Sequence, residues 1–427
     1  MDDRSSVAVV GAGLAGLVAA RHLADAGADV TVFERRETVG GRVRTRHLDG
    51  FTLDRGFQVL FTAYPAVRRE LDLGALDLQS FSPGAVIARP GERSTLSDPL
   101  RDPFSLTDSL FNREVSTTDK LRTLALRQHV GDRDETEIFE SPDARIDDYL
   151  RDWGFTERYL DNFVAPFYGG ITLDRTLSTS KRVFEYTFKA MSEGRIALPA
   201  SGMGAIPEQL ADRARDAGAT LRLDDPVAVV DPHGGADGTV TVETEGDVRT
   251  VDAAVVATDP RTARRLTGVG AIPTAARPAV TGYYALPDGS GIDGRKIHLN
   301  AADGHPNVVV PLSTVAPTYA PDDRTLLGAT FLGDDALDAD PDTLREATRD
   351  TLASWYPERL FDGLERVHTD RIEFAQFDQP PGVHDDLPDP RDPEGAVYLA
   401  GDYTAWSSIQ GAMRSGREAA AAVRGDL

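Results

Sequence analysis

V-A-V-V-G-A-G-L-A-G-L-V-A-A-R-H-L-A-D-A-G-A-D-V-T-V-F-E-R-R-E-T-V-G-G-R-V-R-T, residues 7–45, is the stretch that decides the fold. It orders an apolar strand, a glycine turn, a helix, a second strand and a terminal acid, as a dinucleotide-binding unit requires. Gly11, Gly13 and Gly16 make G-x-G-x-x-G. Gly11 permits the tight turn after the strand Val7–Val10. Gly13 lets the backbone approach a pyrophosphate, and Gly16 lets the helix lie close against the sheet. Leu14 and Ala15 open that helix, where unpaired amides and the dipole favour negative charge. Glu34 ends the second strand, and its carboxylate can accept both hydroxyls of a ribose. An acid there favours an unphosphorylated ribose, so FAD or NAD over NADP. Arg35 and Arg36 follow it and weaken that exclusion.

The sequel bears on FAD against NAD. Gly40-Gly41-Arg42-Val43-Arg44-Thr45 comes next. A dinucleotide carries two phosphate charges, and one helix terminus supplies only about half a charge. Arg42 offers the remainder as a planar fork suited to phosphate oxygens. This order resembles the flavin amine oxidase, protoporphyrinogen oxidase and phytoene desaturase superfamily, whose Gly-Gly-Arg segment runs under the FAD pyrophosphate. At the far end, V-Y-L-A-G-D-Y-T-A-W-S-S-I-Q-G-A-M-R-S-G-R-E-A-A-A-A-V, residues 397–423, reads as a strand, a loop and a helix. Ile409, Ala412, Met413, Gly416, Ala419, Ala420 and Val423 recur at three- and four-residue spacing and give that helix one buried face. The segment is similar to the C-terminal FAD signature of the same superfamily. The resemblance puts Gly401 and Asp402 at the ribityl and phosphate region. It aims the helix start, with Ile409 and Ala412, at the flavin pyrimidine ring.

A third block, Leu198 to Val230, reads as a glycine loop, a helix and a strand pair. The superfamily contacts the adenine through a backbone valine after such a strand, and Val227 and Val229 are the nearest candidates. Strands over T-V-T-V-E-T-E and V-R-T-V-D-A-A-V-V-A-T-D-P follow. Within Leu53 to Pro65, Gly56, Phe57 and Gln58 fall where the superfamily brings backbone near the isoalloxazine. The alternative there is a buried aromatic strand.

The resemblance implies an α/β fold. A Rossmann-like FAD-binding domain (1–80, 196–270 and 386–427) interleaves with a second α+β substrate domain on a mixed sheet (81–195 and 271–385). In the first insert, residues 81–96 read as paired strands, Leu121 to Val130 and Ile146 to Trp153 as helices. Ala165 to Ser180 reads as a glycine-interrupted, ligand-positioning loop. In the second, V-T-G-Y-Y-A-L, K-I-H-L-N, N-V-V-V-P-L and R-T-L-L-G-A-T-F-L-G read as strands. Asp385 to Glu394 reads as a polar returning loop.

Net charge is −23 over 427 residues, so nucleic acid and anionic membrane are poor partners. Lysine stands only at 120, 181, 189 and 296, and aspartate far outnumbers glutamate. That make-up suits a cytoplasmic, halophilic protein, because at molar salt the Debye length is only about 3 Å. With 0 cysteines there are no disulfides, iron–sulfur clusters or thiolate zinc sites, and no metal is expected. A cysteine-linked flavin is excluded too, so FAD should be noncovalent, with a histidine link left open. Met1-Asp2-Asp3-Arg4 leads straight into the first strand, and no signal peptide is expected. No apolar run reaches the length of a bilayer span.

The resemblance implies an FAD-dependent dehydrogenase, desaturase or oxidase. Such an enzyme takes a hydride from a C–N or C–C bond to flavin N5 and passes electrons to oxygen, a quinone or another acceptor. A reduced-FAD isomerase is a further reading within the superfamily. Rab GDP-dissociation inhibitors share the fold as binding proteins, and the intact glycines, Glu34 and Arg42 argue against that reading. Catalytic residues carry no comparable signature. Amine oxidases of the superfamily often carry a lysine that holds a water near N5; Lys296 stands before a strand, but its surroundings match that pattern poorly and read rather as a solvated edge residue. Tyr403, Trp406, Tyr168, Tyr283 and Tyr284 are aromatic candidates that core packing also explains. His22 reads as a packing or surface residue.

Overall fold

A computed structural model describes residues 4–96, 116–234, 238–289, 291, 292, 294–302 and 304–427. The strand Ser6–Val10 lies at the centre of a five-stranded parallel sheet, because β-branched and small residues bury both of its faces. The strand order is Thr220–Arg222, Asp29–Phe33, Ser6–Val10, Ala253–Val256 and Val397–Leu399. Every strand of this sheet therefore comes from the three blocks that carry the dinucleotide signals. Thr220 pairs with Thr31, Val7 with Val30 and with Ala253, and Ala254 with Val397. Val227–Asp231, Val240–Thr244 and Val248–Val251 form a three-stranded antiparallel meander beside it.

The helix Leu14–Asp25 packs on the parallel sheet, and the C-terminal helix Ile409–Asp426 packs on that helix. Small residues set the spacing. A Cβ on Gly16 would overlap the Gly11 carbonyl, and one on Gly416 would overlap the Ala15 carbonyl. Met413, Gly416, Ala419, Ala420 and Val423 are buried, as the three- and four-residue spacing predicts.

A second, seven-stranded mixed sheet runs Glu365–Phe377, Ala276–Pro287, Arg324–Leu332, Val308–Val310, Ile297–Asn300, Ala85–Arg89 and Glu92–Leu96. All seven strands come from residues 81–195 and 271–385. The central strand Ala276–Pro287 pairs Tyr283 with Gly328 on one side and with His368 on the other. Trp355, Leu352 and Leu344 of the helix Pro341–Trp355 cover one face, with Tyr284 beneath them. A small third sheet, Leu60–Phe61, Ile196–Pro199 and Leu78–Ser80, lies where the blocks meet.

Two expectations need correction. Ala165 to Thr172 is helical, although Gly169-Gly170 read as a loop. Pro166 suits its first turn, and the helix continues a π-helical stretch, Leu160–Val164. The glycines serve close approach instead, since a Cβ on Gly169 would stand 3.0 Å from Arg175 Cα. The 13-residue strand Glu365–Phe377 has no counterpart in the expected elements. Arg371-Ile372-Glu373-Phe374 does alternate in polarity, and that alternation is the signal which marks it. Among the described residues, no helix is long and apolar enough to cross a membrane. Nor do three or more histidines and acids there group as a metal would need.

Candidate functional site

A cavity of about 940 Å³ runs from the carboxyl ends of the parallel strands to the face of the mixed sheet. It begins where Val10 turns into Gly11. Gly11 has φ +108°, and a Cβ there would lie 2.8 Å from the Ala257 carbonyl oxygen. Gly13 is the opposite case: a Cβ on it would meet nothing within 4 Å, so its backbone faces open space. Leu14 and Ala15 line the cavity at the helix start. Gly16 does not line it and acts only in helix–strand packing.

Glu34 is buried at the end of its strand. Its Oε2 accepts from the Ala12 amide at 2.9 Å and its Oε1 from the Arg36 amide at 3.1 Å. Arg35, Arg36, Pro226 and Val227 complete this end of the wall. Val229 does not line the cavity and is 40% exposed, so of the two valine candidates only Val227 stands in the wall.

Arg42 shows something the sequence cannot. Its Nη2 donates to Asp402 Oδ1 at 2.5 Å, and its Nη1 donates to the Ala375 carbonyl at 3.3 Å. Burial alone would lower the guanidinium, and the Asp402 carboxylate more than reverses this, so its pKa is raised. Asp402 also accepts from Ser407 Oγ at 2.8 Å. The Gly-Gly-Arg turn and the C-terminal Gly401-Asp402 turn are thus one ion-paired unit, with both residues in the cavity wall together with Gly41 and Gly401. The pairing also means that Arg42 does not arrive as a free positive charge.

The segment Gly56 to Gln58 lines the middle of the cavity. Gly56 has φ +75°, and a Cβ on it would stand 2.7 Å from Ile372 Cδ1. The Phe57 amide donates to Thr281 Oγ1 at 3.2 Å, which ties the turn to the mixed sheet. Gln58 Nε2 donates to the Arg42 carbonyl at 3.1 Å, while its Oε1 is buried without a partner. On the opposite side Ser408 caps the C-terminal helix, accepting from the Gly411 amide at 2.8 Å, and Ile409 and Ala412 face the cavity.

These features fit FAD. Open backbone at Gly13, a helix amino end, a buried acceptor at Glu34 and the orphaned Gln58 Oε1 offer both donors and acceptors along one elongated slot. Beyond Gly56 the wall becomes apolar: Phe57, Phe61, Tyr64, Phe167, Ile171, Leu173, Ile196, Ile297, Leu299 and Val308, with Trp406. Of the expected aromatic candidates only Trp406 lines the cavity. Tyr403 donates to the Val256 carbonyl, Tyr283 to the Asp54 carbonyl, and Tyr168 and Tyr284 are packed away from it. Lys296 donates to the Pro83 carbonyl, outside the wall formed by its neighbours Ile297 and Leu299. His22 packs against the buried Glu70 at 3.2 Å. Sequence reasoning missed Tyr64, at the end of the Leu53 to Pro65 stretch, and Thr281, Ile372, Phe374 and Gln376, which line the cavity from blocks with no motif.

A family model for flavin containing amine oxidoreductases matches residues 14–424. Among curated relatives, phytoene dehydrogenase of Streptomyces griseus is 30% identical over 294 residues, covering 61% of this chain and 56% of that protein. Carotenoid 3,4-desaturase of Haloarcula japonica is 25% identical over 287 residues, covering 59% and 55%. The chain thus spans about half the length of these two relatives. The fold is shared with a putative protoporphyrinogen oxidase from Exiguobacterium sp. 255-15, at TM-score 0.74 and 17% identity over 100% of both chains. The chain therefore belongs to the flavin containing amine oxidoreductase family, and the residues of its slot fit FAD as the flavin.

Proposed function

We propose that this protein dehydrogenates an apolar, neutral substrate in the arm of the cavity beyond Gly56, and that the bond oxidised is C–C in preference to C–N. The observation that carries this reading is the chemistry of that arm. Its wall is aliphatic and aromatic, with the hydroxyls of Tyr64, Thr187 and Thr330 as neutral polar groups. The acids of the wall are Glu34, Asp259, Asp402 and Glu373. The first of these is spent on backbone amides, Asp402 on Arg42, Asp259 caps the helix Pro260–Thr267, and Glu373 is exposed at the rim. Among the described residues an ammonium substrate therefore meets no free carboxylate in the arm, and desolvating it there would be costly. Tyr64 and Trp406 meet edge to face, 5.9 Å apart at 80°, so they do not form a parallel pair with a cation between them. The phytoene dehydrogenase and carotenoid desaturase names among the relatives agree with an apolar substrate.

Residues 1–80, 196–270 and 386–427 act as the FAD-binding unit and 81–195 with 271–385 as the substrate unit, in line with the membership of the two large sheets. Bound FAD supplies the hydride acceptor and a route for electrons to oxygen, a quinone or another acceptor. Leu14 and Ala15 present helix amides to the pyrophosphate. Glu34 accepts from the ribose, and Val227 offers backbone to the adenine. Gly56, Phe57 and Gln58, with Ile409 and Ala412, would hold the ring. Phe57, Tyr64 and Trp406 exclude water from the reacting bond, which hydride transfer needs more than it needs a strong acid.

The test is anaerobic bleaching of the flavin across primary amines, porphyrinogens and carotenes. Bleaching by a polyene and not by amines is the expected result. Bleaching by amines alone would overturn the substrate class, and a colourless chain that takes up no FAD would overturn the whole reading.

A further inference from the structure

Arginines of this chain are commonly matched to carboxylates, as Arg42 is to Asp402 and Arg182 to Asp385. Arg55, in the cavity wall, and Arg44, hydrogen-bonded to it through the backbone, are not. The antiparallel hairpin Thr45–Leu48 and Phe51–Asp54 is flanked by Arg44 and Arg55, joined by an amide-to-carbonyl bond of 2.8 Å. Among the described residues, neither side chain makes a hydrogen bond or ion pair, and Arg44 Nε is buried without a partner. Arg36 and Arg55 line the cavity and Arg44 does not, and Arg36 is close enough to repel both of the others.

The nearby acids are already engaged. Glu34 Oε1 lies 3.7 Å from the Arg36 guanidinium and Glu34 also accepts two backbone amides. Asp370 takes the Gly56 amide at 3.4 Å and lies 3.2 Å from His368 Nε2. Burial, then Arg36 and Arg55, push the Arg44 guanidinium down to about 10, and burial with Arg36 lowers Arg55. In a chain with 69 acids and 46 bases, leaving two half-buried cations unmatched beside a third goes against the trend of the whole surface.

We propose that Arg44 and Arg55, with Arg36, form an oxyanion-binding subsite at the cavity wall that takes a phosphate or carboxylate group. Guanidinium forks suit both anions. The group has two sources. One is the pyrophosphate of FAD itself, which the Asp402-paired Arg42 cannot neutralise alone. The other is an anionic group on a second ligand, substrate or electron acceptor, reaching this wall. Only the first source rests on the function proposed above.

Two arms separate them. In the first, FAD is titrated into apoprotein of wild type, R44Q/R55Q and R44K/R55K, read by flavin fluorescence. In the second, inorganic phosphate is titrated into the FAD-loaded protein at constant ionic strength, read by flavin absorbance and melting temperature. If the pyrophosphate is the ligand, R44Q/R55Q weakens FAD at least about tenfold and the lysine pair recovers much of it. If a second ligand is, FAD affinity holds and the phosphate response of wild type disappears in R44Q/R55Q. Equal behaviour of wild type and R44Q/R55Q in both arms overturns the subsite. A wild-type chain that takes no FAD overturns the proposed function instead, and the phosphate arm, run on that chain, then decides the subsite alone.

Discussion

A carboxylate that accepts from two backbone amides shapes its own loop as well as its ligand site. Glu34 does so through Ala12 and Arg36, at 2.9 and 3.1 Å, and so fixes the glycine turn against the end of the second strand. Its remaining lone pairs face the cavity for a ribose. Hydrogen bonds to a charged acceptor are worth about 1.5–3 kcal/mol each. Glu34→Ala should therefore weaken FAD binding roughly tenfold to several hundredfold, read by equilibrium titration. Unchanged affinity would mean that the ribose is held elsewhere. Arg42 illustrates the limit of reading single residues. Gly40-Gly41-Arg42 was legible as a phosphate-facing turn, but its partner Asp402 lies 360 positions away and no local pattern links the two. The charge assigned to Arg42 from sequence is largely cancelled by that partner, and Arg44 and Arg55, unremarkable as letters, are left with it.

At the scale of elements, the readable parts were those with one strong period and a glycine to mark their ends. Ser6–Val10, Leu14–Asp25 and Asp29–Phe33 form as expected, and so does the C-terminal strand and helix. Ala165–Thr172 escaped because glycine pairs read as breakers, whereas tertiary packing against Arg175 and Asn307 rewards their lack of side chain. The far wall of the cavity escaped for another reason. Thr281 lies on a strand buried without a break from residue 278 to 286 and Ile372 on one that carries no motif, so their cavity-facing members look like any core residue. The short helix Glu135–Phe139 is a third case, since only contacts reveal its part. Glu135 accepts from Trp406 Nε1 at 3.2 Å, Arg414 Nη1 at 3.0 Å, Tyr186 Oη at 2.8 Å and Gln410 Nε2 at 3.0 Å. It therefore pins the start of the C-terminal helix and the Trp406 ring to the helical layer over the cavity. Glu135→Ala leaves three neutral donors without their acceptor and Arg414 with Glu418 as its remaining partner, and should cost about 3 kcal/mol in denaturant unfolding. Glu135→Gln keeps the shape and one acceptor oxygen, while its Nε2 can only donate, so it should cost less than Glu135→Ala. Equal losses would show that charge, and not the shared geometry, is what the helix start depends on.

For the whole molecule the dominant fact is 69 acids against 46 bases. Two electrostatic effects compete when salt is withdrawn. Paired groups such as Arg151 with Asp147 and Arg391 with Asp426 attract more strongly. Their arginines are exposed to solvent, so each pair contributes little. The uncompensated charge of −23 repels itself over the full surface, and that repulsion grows once the Debye length passes about 10 Å near 0.1 M salt. Repulsion is summed over many pairs at distances that salt screens well, while the ion pairs lie within a few ångströms and are screened less. Repulsion should win. The melting temperature is therefore expected to climb steadily from dilute buffer into molar potassium chloride. Screening depends on ionic strength alone, whereas a salting-out effect on apolar burial depends on the anion. Chloride and sulfate compared at equal ionic strength should give the same rise through the low-salt range and part only near molar concentration. A curve that is flat below molar salt, or that separates by anion from the start, would mean that burial and not surface repulsion sets the salt response of this fold.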